Sequence, residues 1–219
     1  MLRAHTTTEL IAKEGWGYVS ALFLVFLVSY FLDFLPWVFF FLFVGCIFAF
    51  RNFERIPAEE DKMSFLSPVD GKIKDITKVI LKNGAEFLKL EIRKNILDAS
   101  MLRSPISATI TNTKRTHGLF LPCKNPLSNL LNEKVILTLK ANASTIMLVV
   151  KSGFFSRKIE LFKSMGPLKF AQRFGILLDG SVELLLPIDA RVKVSIDDNV
   201  RAGESVLGYF AYGGEFDKQ

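Results

Sequence analysis

One long apolar stretch, residues 16–50, constrains this chain more than any other feature of its sequence. Its single charged residue is Asp33. On either side of Asp33 lies a run of seventeen residues, 16–32 and 34–50, at the short end of what a membrane-spanning helix needs. Pro36 suits the first turn of a new helix. The pattern therefore predicts a helical hairpin with Asp33 and Pro36 at its tip.

Two other interpretations of this stretch are a signal peptide and one bent helix. A signal peptide has an apolar core of only about 7–15 residues, followed by small residues at its cleavage site, and this stretch is longer and lacks such a site. The hairpin is therefore predicted to associate with a membrane, either crossing it or dipping into it. Basic residues flank both helices, which predicts the inner membrane of a cell, with both ends and the following domain in the cytoplasm. These flanking residues are Arg3, Lys13, Arg51 and Arg55.

The net positive charge of the chain lies outside the hairpin segment. The sequence has 28 basic and 22 acidic residues, and residues 1–56 hold four of each, so residues 57–219 carry the whole net charge of +6. A basic domain held at a bilayer is attracted to anionic lipid headgroups. Nucleic acid is the other usual partner of a basic protein, but the basic residues are scattered and no nucleic-acid-binding motif is present. We therefore expect a phospholipid and a membrane as partners, and no nucleic acid.

The few cysteines and histidines of the chain argue against a metal site. The sequence contains Cys46, Cys123, His5 and His117, and no two cysteines stand at the spacing of a zinc-binding motif. Cys46 lies within the apolar stretch, so we expect no disulfide between the two cysteines. We expect no metal cofactor.

Beyond a charged linker at residues 51–64, the sequence alternates between short apolar runs and turn signals. Asn83-Gly84 separates two such runs, as in a β-hairpin. Three segments share a proline, a small or acidic pair and a β-branched strand start: SPVDGKI, SPISATI and LPIDARV (67–73, 104–110 and 186–192). This layout is similar to that of barrel-sandwich carrier domains, but no turn presents a lysine for a cofactor, so the similarity concerns architecture alone. We predict an α+β chain, mainly β, with a membrane-associated helical hairpin at 1–56 and a barrel-sandwich-like domain at 57–219.

The segment ILLDGSVELLLP (176–187) contains a Gly-Ser pair inside an apolar strand. Glycine weakens a strand interior and usually marks a bend, a bulge or a close approach of two backbones. Asp179-Gly180 is also a common hairpin turn, so a tight turn is one explanation of the pair. The second explanation is chemical: Ser181 attacks the peptide bond that joins it to Gly180.

Several motifs follow one another along the chain in a recognisable order. They are IAKEGWGYV before the apolar hairpin, FRNFERIP, LSPVDGKI, RSPISATI, FFSRKI, QRFGILLDGSVELLLP and VRAGESVLGYF. The sixth is similar to the pattern R-F-G-x-I-x-F-G-S-R-V-D-V-Y-L-P. Together, in order and spacing, the motifs resemble the short, membrane-associated class of phosphatidylserine decarboxylases over nearly the whole chain.

The resemblance implies a proenzyme that cleaves itself between Gly180 and Ser181. Ser181 would be the nucleophile, Gly180 the acyl donor and Asp70 the residue that orients the base. Cleavage would leave a large chain, 1–180, a small chain, 181–219, and a pyruvoyl group made from Ser181. That group would accept the electrons released with CO2, so the implied lyase activity converts phosphatidylserine into phosphatidylethanolamine. Its partners would be the phospholipid and its own two chains, with an oligomer left open.

The chain departs from the family pattern at two places. Ser100 stands where the family carries the histidine that serves as general base, and one residue fewer follows the serine of the Gly-Ser pair. A one-residue shift in a strand moves side chains to the opposite face. His117 and Asp179 are candidate replacements for the base, although a loop histidine and a turn aspartate are common without such a role. Arg157 and Lys158 are candidates to bind phosphate. The departures from the family pattern also leave an alternative function open, that of a non-catalytic relative that binds lipid or a partner enzyme.

Overall fold

The structure, a computed structural model, describes residues 16–49, 55, 61, 63–81, 84–141, 144–156 and 158–211. The chain divides into two compact units, with the boundary between residues 54 and 55. The basic residues Arg3, Lys13 and Arg51, predicted to flank the hairpin, lie outside the described residues, as does most of the predicted linker.

The first unit contains two helices, α1 (Trp16–Phe31) and α2 (Pro36–Ala49). Pro36 begins α2, where its fixed φ fits the helix and its missing N–H costs no hydrogen bond. In the connection between the helices, Asp33 and Leu35 have left-handed backbone, with φ of 54° and 49°. Asp33 therefore lies in the short connection between α1 and α2, whereas the predicted membrane-associated hairpin as a whole is not confirmed.

The two helices contact each other through aromatic side chains. The ring centroids of Phe23 and Phe43 are 5.5 Å apart, and those of Phe26 and Phe40 are 5.8 Å apart. Within the described residues, no helix combines the length and the apolar character needed to cross a membrane. Association of this unit with a membrane stays a prediction.

The second unit consists almost entirely of β-strands, so the predicted mainly β class is confirmed. Its described residues form fourteen strands and one short helix, α3 (Ser128–Leu131). The strands are β1 (Ser64–Leu66), β2 (Gly71–Ile80), β3 (Glu86–Lys94), β4 (Met101–Arg103), β5 (Ala108–Thr116), β6 (Lys134–Ala141), β7 (Ser144–Ser152), β8 (Glu160–Leu161), β9 (Gly166–Leu168), β10 (Arg173–Ile176), β11 (Gly180–Pro187), β12 (Arg191–Val192), β13 (Asn199–Val200) and β14 (Val206–Tyr209).

The strands form three sheets, with orders β13-β2-β3-β11-β7-β6-β5-β9, β1-β14-β12 and β4-β10-β8. The finer prediction of a barrel-sandwich arrangement is not confirmed, because in the described residues the eight-stranded order is open, with β13 and β9 at its ends. Of the three similar sequence segments, the first two make equivalent local contacts: Ser67 Oγ donates to the Val69 carbonyl and Ser104 Oγ to the Ile106 carbonyl, both at 2.6 Å. These two segments lead into β2 and β5 of the large sheet, whereas the third leads into β12 of a smaller sheet.

Strand β11 lies in the interior of the large sheet, hydrogen-bonded to β3 on one side and β7 on the other. Val182, Leu184 and Leu186 alternate along β11 and are fully buried in the core. Burying each such side chain stabilises the fold by about 1.5–3 kcal/mol, and slipping the strand by one residue would move all three from the core to the opposite, polar face of the sheet. The core face therefore fixes the register, and the register decides what lies beside the Gly-Ser pair.

Candidate active site

The Gly180–Ser181 peptide lies at the first two positions of β11. Gly180 is directly opposite Lys94 of β3 and Ser152 of β7, and Ser181 is opposite Arg93 and Lys151. Ser181 is 6% exposed. The bond that the sequence singles out is therefore an interior peptide of the largest sheet.

Gly180 occupies a position that other residues fit poorly. Its φ is +151°, and a Cβ atom built on it would lie 2.1 Å from the carbonyl oxygen of Lys151. Backbone cannot move aside as a flexible side chain can, so any larger residue would force the two strands apart. Of the predicted explanations for this glycine, a close approach of two backbones is what the structure contains.

Ser181 faces a small polar cavity on the side of the sheet opposite the core. Side chains alternate along a strand, so Ser181 and Glu183 point away from the face that carries Val182. The cavity has a volume of about 40 Å³. Its lining residues, besides Ser181, are Glu91, Cys123, Ser128, Asn129, Asn132, Lys151 and Ser152.

An ion pair lies on the same face as Ser181. The Lys151 ammonium contacts the Glu183 carboxylate and also donates a hydrogen bond to Asn129 Oδ1 at 3.1 Å. The side chains of Lys151 and Glu183 are only 13% and 14% exposed. A charged pair this well shielded from water is held in one geometry next to the serine.

The wall of the cavity opposite the sheet comes from the segment 117–133, which Asn132 anchors. The Asn132 amide nitrogen donates to the carbonyl oxygens of Leu121 and Ser152, both at 2.8 Å, and its Oδ1 accepts from the Leu121 N–H at 2.8 Å. This ties the segment to the end of β7. Because Asn132 is buried, these bonds satisfy polar atoms that water does not reach.

Cys123 brings a thiol to the cavity, but one that stays protonated near neutral pH. Burial raises the pKa of Cys123, and the nearby carboxylates of Asp179 and Glu91 raise it further. Because the thiolate is the reactive form of cysteine, Cys123 is a poor competitor of Ser181 as a nucleophile.

Asp70 lies just before β2 and pairs with the linker residue Arg55. Arg55 donates two hydrogen bonds to the Asp70 carboxylate, the one to Oδ2 at 2.6 Å, and the Ala202 N–H donates to Oδ1 at 2.7 Å. Burial alone would raise the pKa of Asp70, but these bonds and the charges of Arg55 and Lys94 lower it. In the described residues its hydrogen-bond partners are Arg55 and Ala202, and Ser181 is not among them.

Lys94 is a buried cation at the same end of the sheet. It is fully buried, and its Nζ donates to the carbonyl oxygens of Asn95 and Asp98 at 2.9 and 2.7 Å. It lies directly opposite Gly180, and therefore projects from the core face, away from the cavity of Ser181. Lys94 orders the turn after β3, at the end of which Ser100 lies buried.

The family model of phosphatidylserine decarboxylase matches residues 42–208 of this chain. This chain belongs to the phosphatidylserine decarboxylase family. The phosphatidylserine decarboxylase proenzyme of Geobacter sp. (strain M21) is 32% identical to it over 217 residues, covering 93% of this chain and 98% of the relative. That of Burkholderia ambifaria (strain MC40-6) is 30% identical over 205 residues, covering 90% and 95%. The resemblance drawn from the motifs is confirmed.

The missing residue after the serine bears on the face of β11 to which Ser181 belongs. In the family pattern G-S-R-V-D-V-Y-L-P, one residue separates the serine from the first valine, so a strand would place both on one face. Here Ser181 directly precedes Val182, whose side chain is in the core. Ser181 therefore points away from the core face, into the cavity lined by Lys151.

The structure places the remaining candidate residues as follows. His117 is exposed in a loop, and Lys158 is exposed after β7. Asp179 is half-buried, and its Oδ2 accepts a hydrogen bond from the Phe155 N–H at 3.3 Å. Arg157 lies outside the described residues. The roles predicted for Ser181, Gly180 and Asp70 stay predictions.

Sequence reasoning missed three residues that shape this site: Lys151, Glu183 and Asn132. Lys151 and Glu183 lie in strands that read only as apolar runs, and their meeting depends on the register between β7 and β11. Asn132 belongs to N-E-K (132–134), which is similar to the N-E-R of the family. That similarity is the one feature of the sequence that could have indicated Asn132 as a residue of the site.

Proposed function

We propose that this protein is a pyruvoyl-dependent phosphatidylserine decarboxylase that cleaves itself between Gly180 and Ser181. The observation that carries the proposal is the placement of this bond. It lies in the interior of the large sheet, at a glycine that no other residue fits, with the serine side chain facing a polar cavity. Membership of a family whose relatives are named proenzymes supports the same conclusion.

The residues present fit a pyruvoyl group at position 181. The group is made from Ser181 itself, so it requires no larger site than the serine occupies, and the side chain lines a polar cavity of about 40 Å³. Such a group supplies an electron-accepting carbonyl, which lets a bound amino acid headgroup release CO2. Ser181 supplies the oxygen that attacks Gly180, and Asp70 positions the start of β2 through Arg55.

The two chains produced by cleavage would stay together. The small chain, 181–219, would begin in β11, which pairs with β3 and β7 along nearly its whole length. Cutting the bond at the start of β11 leaves those ladders and the burial of its core face unchanged. The large and small chains are therefore partners in one folded unit.

The lipid substrate fits the exposed apolar residues beside the site. Phe154 and Phe155 follow β7, are more than half exposed, and their rings meet edge to face with centroids 5.1 Å apart. The Phe155 N–H bonds to Asp179, the residue before Gly180. Exposed apolar side chains such as phenylalanine bind membrane surfaces by burying in the boundary between headgroups and acyl chains. We propose that they contact the bilayer from the cytoplasmic side of the inner membrane, and that the exposed apolar side chains of α1 and α2 embed in it.

Replacing Phe154 and Phe155 together with aspartate should weaken binding of the chain to anionic lipid vesicles. The change removes exposed aromatic area and adds charge that anionic lipid repels. The measurement is the fraction of protein that floats with the vesicles at a series of lipid concentrations low enough that wild type binds only in part, so that a loss of affinity is visible in addition to the binding supplied by α1 and α2.

Ile80→Asp is the control, because Ile80 is an apolar side chain that is 70% exposed and lies far from the site. Lys72 of β2 lies level with Ser181 through Arg93 of β3. Ile80 is eight residues further along β2, a distance of about 27 Å. Equal flotation of the double variant and the control would contradict this lipid contact.

The proposed activity is tested by incubating the full chain with vesicles of phosphatidylserine in phosphatidylcholine. We expect phosphatidylserine to disappear as phosphatidylethanolamine and CO2 appear in equal amounts, measured by lipid mass spectrometry. A parallel reaction with free serine in place of phosphatidylserine tests whether the substrate must be a phospholipid. Binding to the vesicles without any product would instead support a non-catalytic relative.

A further inference from the structure

We propose that Lys151 is the general base of self-cleavage, in place of the histidine that this chain lacks, and that Glu183 positions it. The inference rests on the proposed function, because it names the residue that takes the proton from Ser181. Both changes from the family pattern bear on it. Ser100 has no imidazole, and in the shortened strand Ser181 lies on the face opposite the buried Val182, beside Lys151.

Lys151 is a direct cross-strand neighbour of Ser181. The two residues face each other in the ladder between β7 and β11, so their side chains leave the sheet on the same face. Directly opposed residues have Cβ atoms about 4.5–5.5 Å apart, within reach of a lysine side chain. Both side chains line the same cavity of about 40 Å³. A basic nitrogen and the proposed nucleophile thus share one small polar space.

Glu183 gives Lys151 the partner that a base of this kind needs. It lies two residues after Ser181, on the same face of β11, and its carboxylate contacts the Lys151 ammonium. Transfer of one ammonium proton to this carboxylate leaves a neutral amine without changing the net charge of the pair. Both side chains are well shielded from water, so this contact keeps the Lys151 side chain on the face of the sheet that it shares with Ser181.

The residues that the sequence alone singles out are less suitably placed as bases. Ser100 has no basic nitrogen, and His117 is exposed in a loop. Both oxygens of Asp70 accept hydrogen bonds from Arg55, and one also accepts from Ala202. The Asp179 carboxylate packs against Gly153, where an added Cβ would lie 2.4 Å from its Oδ2.

The step conserves atoms and protons. After one ammonium proton of Lys151 passes to the Glu183 carboxylate, Ser181 Oγ forms a bond to the carbonyl carbon of Gly180 while its own proton passes to the neutral Lys151 Nζ. The bond between that carbon and the Ser181 nitrogen then breaks, and Lys151 returns the proton to this nitrogen, which leaves an ester and a free amine. Removal of the Ser181 Cα hydrogen expels the Gly180 carboxylate, and addition of water with loss of ammonia gives the pyruvoyl group.

Lys151→Arg tests the base directly. Arginine keeps the positive charge and can still contact Glu183, but it does not give up its proton in proteins. We expect the rate of cleavage at 180/181 to fall at least about 100-fold, the lower end of what general-base help contributes. The rate is followed by intact mass spectrometry of the full chain in detergent, with thermal unfolding to verify the fold. Lys72→Arg is the control, since Lys72 is an ion-paired lysine on β2 of the same sheet, outside the cavity lining, and this variant should cleave at the wild-type rate.

Amine rescue separates a base from a residue that only holds the fold. Lys151→Ala should cleave as slowly as Lys151→Arg. Added propylamine should restore cleavage in proportion to its concentration. The same amine in acidic buffer, where it is protonated and cannot accept a proton, should not restore cleavage. Glu183→Gln should give an intermediate rate, because it keeps the side-chain shape and loses the proton acceptor.

The outcomes separate this inference from the proposed function. Wild-type cleavage with an equally fast Lys151→Arg variant overturns the assignment of Lys151 and leaves the decarboxylase proposal intact. Loss of cleavage in a folded Lys151→Arg, without rescue of Lys151→Ala by propylamine, also overturns it, because the lysine then acts through charge or packing. A wild-type chain that never cleaves overturns both.

Discussion

Replacing Ser181 with alanine should leave the whole chain uncleaved and reduce decarboxylation to background. Alanine has no oxygen to attack the Gly180 carbonyl, and no pyruvoyl group can be made from it. The fold should survive, because Ser181 faces the cavity while the core face of β11 is carried by Val182, Leu184 and Leu186. The measurement is the intact mass of the purified protein after long incubation, compared with wild type.

Ser156→Ala is the matched control for this substitution. Ser156 is fully buried, and its hydroxyl has no hydrogen-bond partner among the described residues. Removing an unsatisfied buried hydroxyl is neutral or stabilising, so this variant should cleave and decarboxylate as wild type does. Cleavage of Ser181→Ala at the same bond would contradict the role of Ser181, as would loss of cleavage in both variants to the same extent.

Asp70→Asn should lower the free energy of unfolding of the chain at neutral pH by about 3–5 kcal/mol, the usual cost of removing one partner from a buried ion pair. The side chains of Arg55 and Asp70 are only 11% and 10% exposed, so the variant leaves a shielded guanidinium without its carboxylate. The measurement is urea denaturation of the full chain in detergent, with the slope checked for two-state behaviour.

The same pair predicts the pH dependence of stability. The pKa of Asp70 is lower in the folded chain than in the unfolded chain, so its contribution is complete above the unfolded value, near 3.9, and is lost as the pH falls through the folded value. The difference between wild type and Asp70→Asn should therefore shrink below about pH 4. Asp197→Asn is the control: its ion pair with Lys72 is exposed and contributes about 1 kcal/mol or less. Equal stability of wild type and Asp70→Asn at pH 7 would refute this account of Arg55.

Local sequence signals predicted much of the fold. The proline at 36 and the charge at 33 predicted where the two helices meet, and α1 and α2 lie on either side of residues 32–35. The turn signal at 83–84 lies between β2 and β3, which pair as a hairpin. Such features depend on neighbours in sequence, and a pattern of apolar and turn residues therefore contains them.

The arrangement of the sheets could not be read in this way. Strand β11 lies between β3 and β7, which come from two different hairpins. The apolar run 182–186 does not by itself predict which distant strands β11 pairs with. The similarity among three proline-containing segments is matched by equivalent local contacts in the first two, but the strands that follow pair with different partners.

The sequence predicts the nucleophile of the candidate site, Ser181, but not the residues that surround it. The Gly-Ser pair stands out because glycine is unusual within a strand. The neighbours of Ser181 follow from a register that pairs it with Lys151, and from its position directly before the buried Val182. Likewise, Arg55 was read as a membrane-flanking charge, whereas its guanidinium pairs with Asp70.

The most direct test of the account is the mass of the purified wild-type chain. If the peptide between Gly180 and Ser181 is the reactive bond, the protein should resolve into residues 1–180 and a fragment 181–219 whose amino end carries a carbonyl that reacts with hydroxylamine and resists Edman degradation. A single full-length species that keeps an unmodified serine at position 181 after prolonged incubation would contradict it.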